Sequence, residues 1–290
     1  MRFGKIFPYK FWRHVTVEPA YFLAYLATGI MEFLNVNLYL QKACRFDQFS
    51  QPDLSTECDD ENRGEKFIAE VYMNSITVTS VVALIICMSL TTYSDLAGKK
   101  RKPFVIRPIF GLLLQSAWAM LQSYFWHWPP LLGVVLNAVL PDLCGGWITV
   151  MIFCILLIYD KTGTNNRHLG LTAIVCLRSL ATLIGKGVSG HMLRAVGFFY
   201  SFAICSLLLM LALACAFVFI PQDKSDKVEH RLSLRQIFSL EKTYESLKMV
   251  LFPDKSLKHK MAIRLLMLLS ALVYFQLTGT FLCRTSVKGY

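Results

Sequence analysis

Apolar residues in this chain gather into runs of about 20 or more, separated by short polar and charged connections. That is the length needed to cross roughly 30 Å of hydrocarbon at about 1.5 Å per helical residue. The pattern predicts spans at about 17–40, 67–93, 104–126, 131–159, 168–190, 198–220 and 262–282. Helices are expected rather than barrel strands, because lipid satisfies no open backbone group and the runs are too long and too uniformly apolar for alternating strands. The fourth run is long for one crossing, so it tilts, kinks near Pro141 or begins outside the bilayer. The fold class expected is an all-α multi-pass membrane protein, with a six-helix bundle over 1–220, a cytosolic basic loop over 221–261, and a seventh span with a short tail over 262–290.

Composition agrees with the pattern. Hydrophobic types make up 55% of the 290 residues and charged types 17%, against roughly 25% charged in soluble domains. The net charge of +11 does not point to nucleic acid, because the cations lie in short loops beside apolar runs rather than on a soluble face. Alternate connections differ sharply in Lys and Arg. One side has Arg2, Lys5, Lys10 and Arg13, then Lys99 to Lys102 with Arg107, then Lys161 and Arg167, and ten more from Lys224 to Arg264. The other has Lys42, Arg45, Arg63, Lys66 and Arg194. The positive-inside rule puts the N-terminus in the cytosol. The basic start leads into an apolar run without a small-x-small cleavage site, so no removable signal is expected.

In the long basic loop, Leu234, Ile237, Phe238, Leu240, Tyr244 and Leu247 recur at near-helical spacing. This predicts an amphipathic helix along the membrane face, with a plain linker as the alternative. The acidic external loop carries Cys58. Its partner in an oxidising exterior or lumen is Cys44 or Cys283, and the alternative is free thiols. Cys87, Cys144, Cys154, Cys176, Cys205 and Cys215 fall inside runs and read as small packing residues. No CxxC or Cys/His spacing, nucleophile or phosphate-binding loop is present, so neither a metal, a cofactor nor an enzyme is expected.

Ionisable groups inside lipid are costly and mark candidate sites. Glu32, Asp142, Arg178 and Lys186 lie within runs. One reading has Arg178 and Lys186 attract an anionic solute, with Glu32 or Asp142 as counter-charge or proton site. The other pairs Arg178 with Glu32 or Asp142 to hold the bundle together. Gln122, Gln115 and Asn74 read as interhelical hydrogen-bond partners. Gly185, Gly187 and Gly190 permit close helix approach, with a rocking hinge as a second use.

The stretch "TYSDLAGKKRKPF" resembles the loop between the second and third helices of major facilitator superfamily transporters, with Asp95, Gly98, Lys99 and Lys100 at the matching positions and Thr91 in place of the first glycine. In such transporters this loop latches one of two alternating conformations. "TVEPAYFLAYLATGI", "LSTECDDEN" and "SGHMLRAVGF" resemble anchors in the N-terminal part of solute carrier family 46, the proton-coupled folate transporter and its relatives. The resemblance covers about residues 15–265 and implies transport of a small, anionic organic solute, with or without protons, by alternating access in the plasma or an endolysosomal membrane. The family's acid positions in the fifth and fourth helices fall at Val175 and Gly146, with Asp142 one turn before the latter, which weakens the expectation of folate or proton coupling. Family members have two six-helix halves, and this sequence carries one half and a seventh run. A truncated product, a splice form and a half-bundle completed by a second transporter half are the readings that follow. A non-transporting membrane protein that acts through a partner is the competing function, and a seven-span receptor is disfavoured by the basic cytosolic N-terminus and the loop motif.

The orientation is testable by engineered glycosylation sites. One near Asp53 is expected to be modified and one near Lys255 to stay unmodified, read as a gel shift; the reverse pattern overturns the topology.

Overall fold

The structure is a computed structural model that describes residues 17–44, 101–161 and 167–220, with single positions between 66 and 94. The chain divides into two compact units, Met1–His230 and Arg231–Tyr290, and every described residue belongs to the first. The amphipathic segment and the seventh run lie outside the described residues. All regular structure among the described residues is helical: α1 (Glu18–Cys44), α2 (Lys102–Tyr124), α3 (Pro130–Leu143), α4 (Gly146–Lys161) and α5 (Arg167–Phe219). The described positions between 66 and 94 are also helical. Four stretches are long and apolar enough to cross a membrane, namely Glu18–Ala43, Lys102–Tyr124, Pro130–Asp160 and His168–Phe219.

Local chemistry sets the helix boundaries. Pro103 and Pro130 sit in the first turns of α2 and α3, where a missing N–H costs no intrahelical bond. Pro141, inside α3, has no N–H to continue the ladder, and the helix ends at Leu143. Short turn bonds close there, from the Cys144 N–H to the Pro141 carbonyl at 3.0 Å and from the Gly145 N–H to the Asp142 carbonyl at 2.9 Å. Gly145 and Gly146 take φ of 115° and 66°, open to glycine at little cost. A kink near Pro141 is therefore how the long fourth run is accommodated.

α5 has 53 residues, about 80 Å of helix and far more than one bilayer. Its ladder is broken at Gly197, with φ 76° and ψ −179°. Contacts on either side show what the break does. Before it, Arg178, Thr182 and Lys186 meet Tyr25, Gly29 and Glu32 in turn, so this arm runs parallel to α1. After it, Phe199, Phe202 and Phe217 meet Tyr124, Ser116 and Lys102, so the second arm runs antiparallel to α2. The ends of α1 and α2 coincide, where Lys42 bonds Gln122, so those helices are parallel to each other. The two arms of α5 are therefore antiparallel, and the chain reverses at Gly197 close to the boundary expected between the runs 168–190 and 198–220.

α1 is the enclosed helix, 56% buried over its apolar window against 28% for α5. Tyr21, Ala24, Ala27, Leu34 and Leu38 are its core positions. The first arm of α5 touches α1 backbone to backbone. A methyl group on Gly185 would lie 2.7 Å from the Leu26 carbonyl oxygen and 3.1 Å from the Ile30 nitrogen, and one on Gly29 would lie 3.1 Å from the Thr182 Cα. Small residues that admit such contact are the usual means of holding membrane helices together, since lipid supplies no hydrophobic drive between them. The second arm is tied to α2 by Ser116, whose hydroxyl donates to the Phe202 carbonyl at 3.1 Å and shares a 2.8 Å bond with Ser206.

Gly185→Ala is expected to destabilise the bundle by about 1–3 kcal/mol through overpacking. Gly187→Ala, where a methyl group meets nothing within 4 Å, is expected to be neutral or slightly stabilising. Thermal unfolding of the two variants in detergent compares them, and equal losses refute the backbone-contact account.

Candidate functional site

The parallel packing of α1 and the first arm of α5 places their ionisable residues at matching heights. Tyr25, Gly29 and Glu32 follow one another at helical spacing, and so do Arg178, Thr182 and Lys186 on the facing arm. Lys186 pairs with Glu32 at 2.9 Å, and both side chains are about half exposed, at 46% and 55%. Gly185 is the close-contact glycine beside Lys186, so the geometry that brings the backbones together also sets this ion pair.

Arg178 stands two helical turns earlier and is partly buried. Its guanidinium lies over the Tyr25 ring at 5.4 Å and over the Trp147 ring at 5.0 Å. The Tyr25 hydroxyl donates to the main-chain carbonyl of Trp147 at 3.0 Å, which ties the Tyr25 ring to the backbone that carries Trp147. Arg178 Nη1 reaches Met151 Sδ at 3.0 Å, a weak acceptor for a charged donor. Among the described residues no carboxylate pairs with Arg178. A guanidinium set over aromatic rings is a fork of N–H donors that suits a planar, two-oxygen anion.

Asp142 is in the last turn of α3, beside the break, and is buried, at 8% exposure. Its carboxylate lies against the Cα of Gly146, in the space that a Cβ there would occupy. No cation pairs with Asp142 among the described residues, and the structure does not bring it to Arg178. The pairing of Arg178 with Glu32 or Asp142 is not what the described residues show, since Glu32 is engaged by Lys186.

Asp95, Gly98, Lys99 and Lys100 lie outside the described residues, as do Cys58 and Cys283 and the side chain of Cys44. Cys144, Cys154, Cys176, Cys205 and Cys215 are free thiols. Residues flanking the basic loop are described and are tied to two other helix ends. Arg101, nearly buried, bonds Asp160 at the end of α4 through Nε at 3.2 Å and Ser94 through Nη1 at 2.9 Å. Lys102 donates to the Phe217 carbonyl at the end of α5 at 2.8 Å.

No family model matches this chain, and neither does any curated protein.

Sequence reasoning missed Tyr25 and Trp147 as the frame around Arg178, because two aromatics 122 positions apart give no sign of converging on one cation. It also counted Lys42 as a loop cation, although the structure buries it at 2% exposure in the last turn of α1. Its spacing from Asn35 and Tyr39, at i, i+4 and i+7, is a helical stripe that a closer reading of the first run contains.

Gly146→Ala is expected to lose about 1–2 kcal/mol from the left-handed backbone alone, with a further loss from the clash with Asp142. Adding Asp142→Ala in that background is expected to recover the second part only. A double-mutant cycle by thermal unfolding reads the difference, and strictly additive losses refute the contact.

Proposed function

We propose that this chain is a transporter bundle of the facilitator type, related to solute carrier family 46, and that it moves a small organic anion by alternating access. The observation that carries the reading is Arg178, a cation inside a stretch long enough to span a membrane, framed by two aromatic rings and without a carboxylate partner among the described residues. A structural arginine in lipid needs an internal anion to offset its desolvation. An arginine that binds a solute is left open for it.

In this reading a carboxylate of the solute meets the N–H donors of the Arg178 guanidinium, with Tyr25 and Trp147 beside the cation. The half-exposed pair of Lys186 and Glu32 lies two turns along the same lane, on a face that lipid would not accommodate. Lys186 adds positive potential, and Glu32 keeps the lane close to neutral when it is empty. The reversal at Gly197, which falls between two of the expected runs, supports counting six crossings in this reading. The rocking motion needs a second half, and the ties from Arg101 and Lys102 to Asp160 and Phe217 hold together the helix ends that such a motion would move. Asp142 is the candidate proton site in this scheme. Plasma or endolysosomal membrane is the proposed location, with the N-terminus cytosolic.

The test is binding and uptake with the full chain reconstituted in liposomes, comparing small aromatic and aliphatic carboxylates with their neutral amides. Carboxylates are expected to bind and amides to fail. Arg178→Met is expected to weaken carboxylate binding by about 10–100-fold, the value of one or two charge-assisted hydrogen bonds, with folded yield unchanged. Unchanged binding in that variant, or loss of folded protein on substitution of Arg178 alone, overturns the reading in favour of a structural role. Solute binding without uptake assigns the site but leaves transport to a complex with a second half.

A further inference from the structure

The end of the bundle opposite Arg101 holds a second cation that the solute lane does not use. Lys42 is 2% exposed, and its Nζ donates to Gln122 Oε1 at 2.7 Å and to the Phe125 carbonyl at 3.2 Å. It also lies over the Trp126 ring at 5.7 Å from the centroid. Both hydrogen-bond partners are neutral oxygens, and among the described residues no carboxylate pairs with Lys42. Among the described residues the charge is solvated by dipoles and a π face and meets no anion, which is an expensive arrangement for a buried ammonium.

The atoms left over are donors. An ammonium has three protons, and two of Lys42's are placed. Gln122 accepts from Lys42 through Oε1, and its Nε2 is buried without a partner. Trp126 sits four residues further along the chain, and its Nε1 is likewise buried without a partner. Gln122 and Trp126 are 0% and 5% exposed, so bulk water does not satisfy these groups. The surroundings are held in place by independent contacts. The Tyr39 hydroxyl donates to the Gly133 carbonyl at 3.0 Å, and a Cβ on Gly133 would lie 2.7 Å from Tyr39 Cε1 and 3.1 Å from Gln122 Oε1.

A buried cation beside two unused N–H donors is the donor set that an anion takes, and because both nitrogens are fully enclosed, an occupant must be small and enters as the neighbouring side chains yield. We infer that Lys42, Gln122 and Trp126 bind a compact inorganic monovalent anion, of which chloride is the probe, at the bundle end where α1 and α2 finish and α3 begins. The anion neutralises Lys42, accepts from the Gln122 amide and the Trp126 indole, and thereby locks the ends of three helices together. A water molecule in the same place would satisfy the donors and leave the charge uncompensated. This inference does not depend on the transport reading.

The test uses the purified full chain in detergent, with sodium gluconate exchanged for sodium chloride at constant ionic strength. Chloride is expected to raise the unfolding temperature by on the order of 3 °C at saturation. Iodide, a heavier halide, is expected to quench part of the tryptophan fluorescence along a saturable curve that chloride competes away. Lys42→Met should abolish both responses, and Arg178→Met should keep both, which separates this site from the solute lane. If Lys42→Met does not accumulate as folded protein, Trp126→Phe carries the test, because it removes the saturable quenching and leaves the other four tryptophans in place. Equal unfolding temperatures in the two salts, linear quenching that ignores chloride, or a chloride response that survives Lys42→Met overturns the proposal and leaves a bound water as the occupant.

Discussion

The contact on which the rest of this bundle depends is the backbone approach of α1 and the first arm of α5 at Gly29 and Gly185. Membrane helices gain nothing from hiding apolar surface from lipid tails, so they associate through packing and polar contacts, and small residues give the closest packing. Here a glycine on each helix lets the other's backbone come within van der Waals reach. The parallel course of the two helices follows the same line of contact, from Tyr25 and Arg178 at one level to Glu32 and Lys186 at another. Were the helices spread by a side chain, the cation would leave its aromatic frame and the ion pair would lose its distance.

Two breaks in helical geometry complete the arrangement. The turn at Cys144 and Gly145 breaks the Pro130–Asp160 stretch so that α4 can offer Trp147 and Met151 to Arg178 while α3 turns Gly133 toward Tyr39 and Gln122. The reversal at Gly197 sends the second arm of α5 back along α2, where serines rather than glycines make the tie. In each place glycine takes a left-handed φ that other residues adopt only with strain. Polar groups at these joints are paired with main-chain oxygens, the usual way to retain a hydroxyl or an amide in a setting without water.

Charge is distributed unevenly over the bundle. Arg101 at one end has Asp160 and Ser94. Lys186 has Glu32. Arg178 and Lys42 have rings, a sulfur and neutral oxygens in place of an acid. Cations with and without an acid partner among the described residues are of the same residue types, and only the tertiary contacts separate them.

The sequence by itself determined that this is a helical membrane protein, because run length and uniform apolarity are one-dimensional quantities fixed by bilayer thickness. It also offered a kink near Pro141 as one of three ways to fit a long run and put a boundary between 190 and 198, since proline and glycine act on their own backbone, and it singled out Glu32, Asp142, Arg178 and Lys186, since a charge in an apolar run stands out without any knowledge of the fold. Which of those charges meet was decided by the tertiary structure. The partners of Arg178 come from helices 31 and 153 positions away in the chain, and the choice of Lys186 rather than Arg178 for Glu32 depends on the register that two glycines allow. Lys42 shows the same limit from the other side: near the end of a run it reads as a loop cation, and only the convergence of three helix ends buries it.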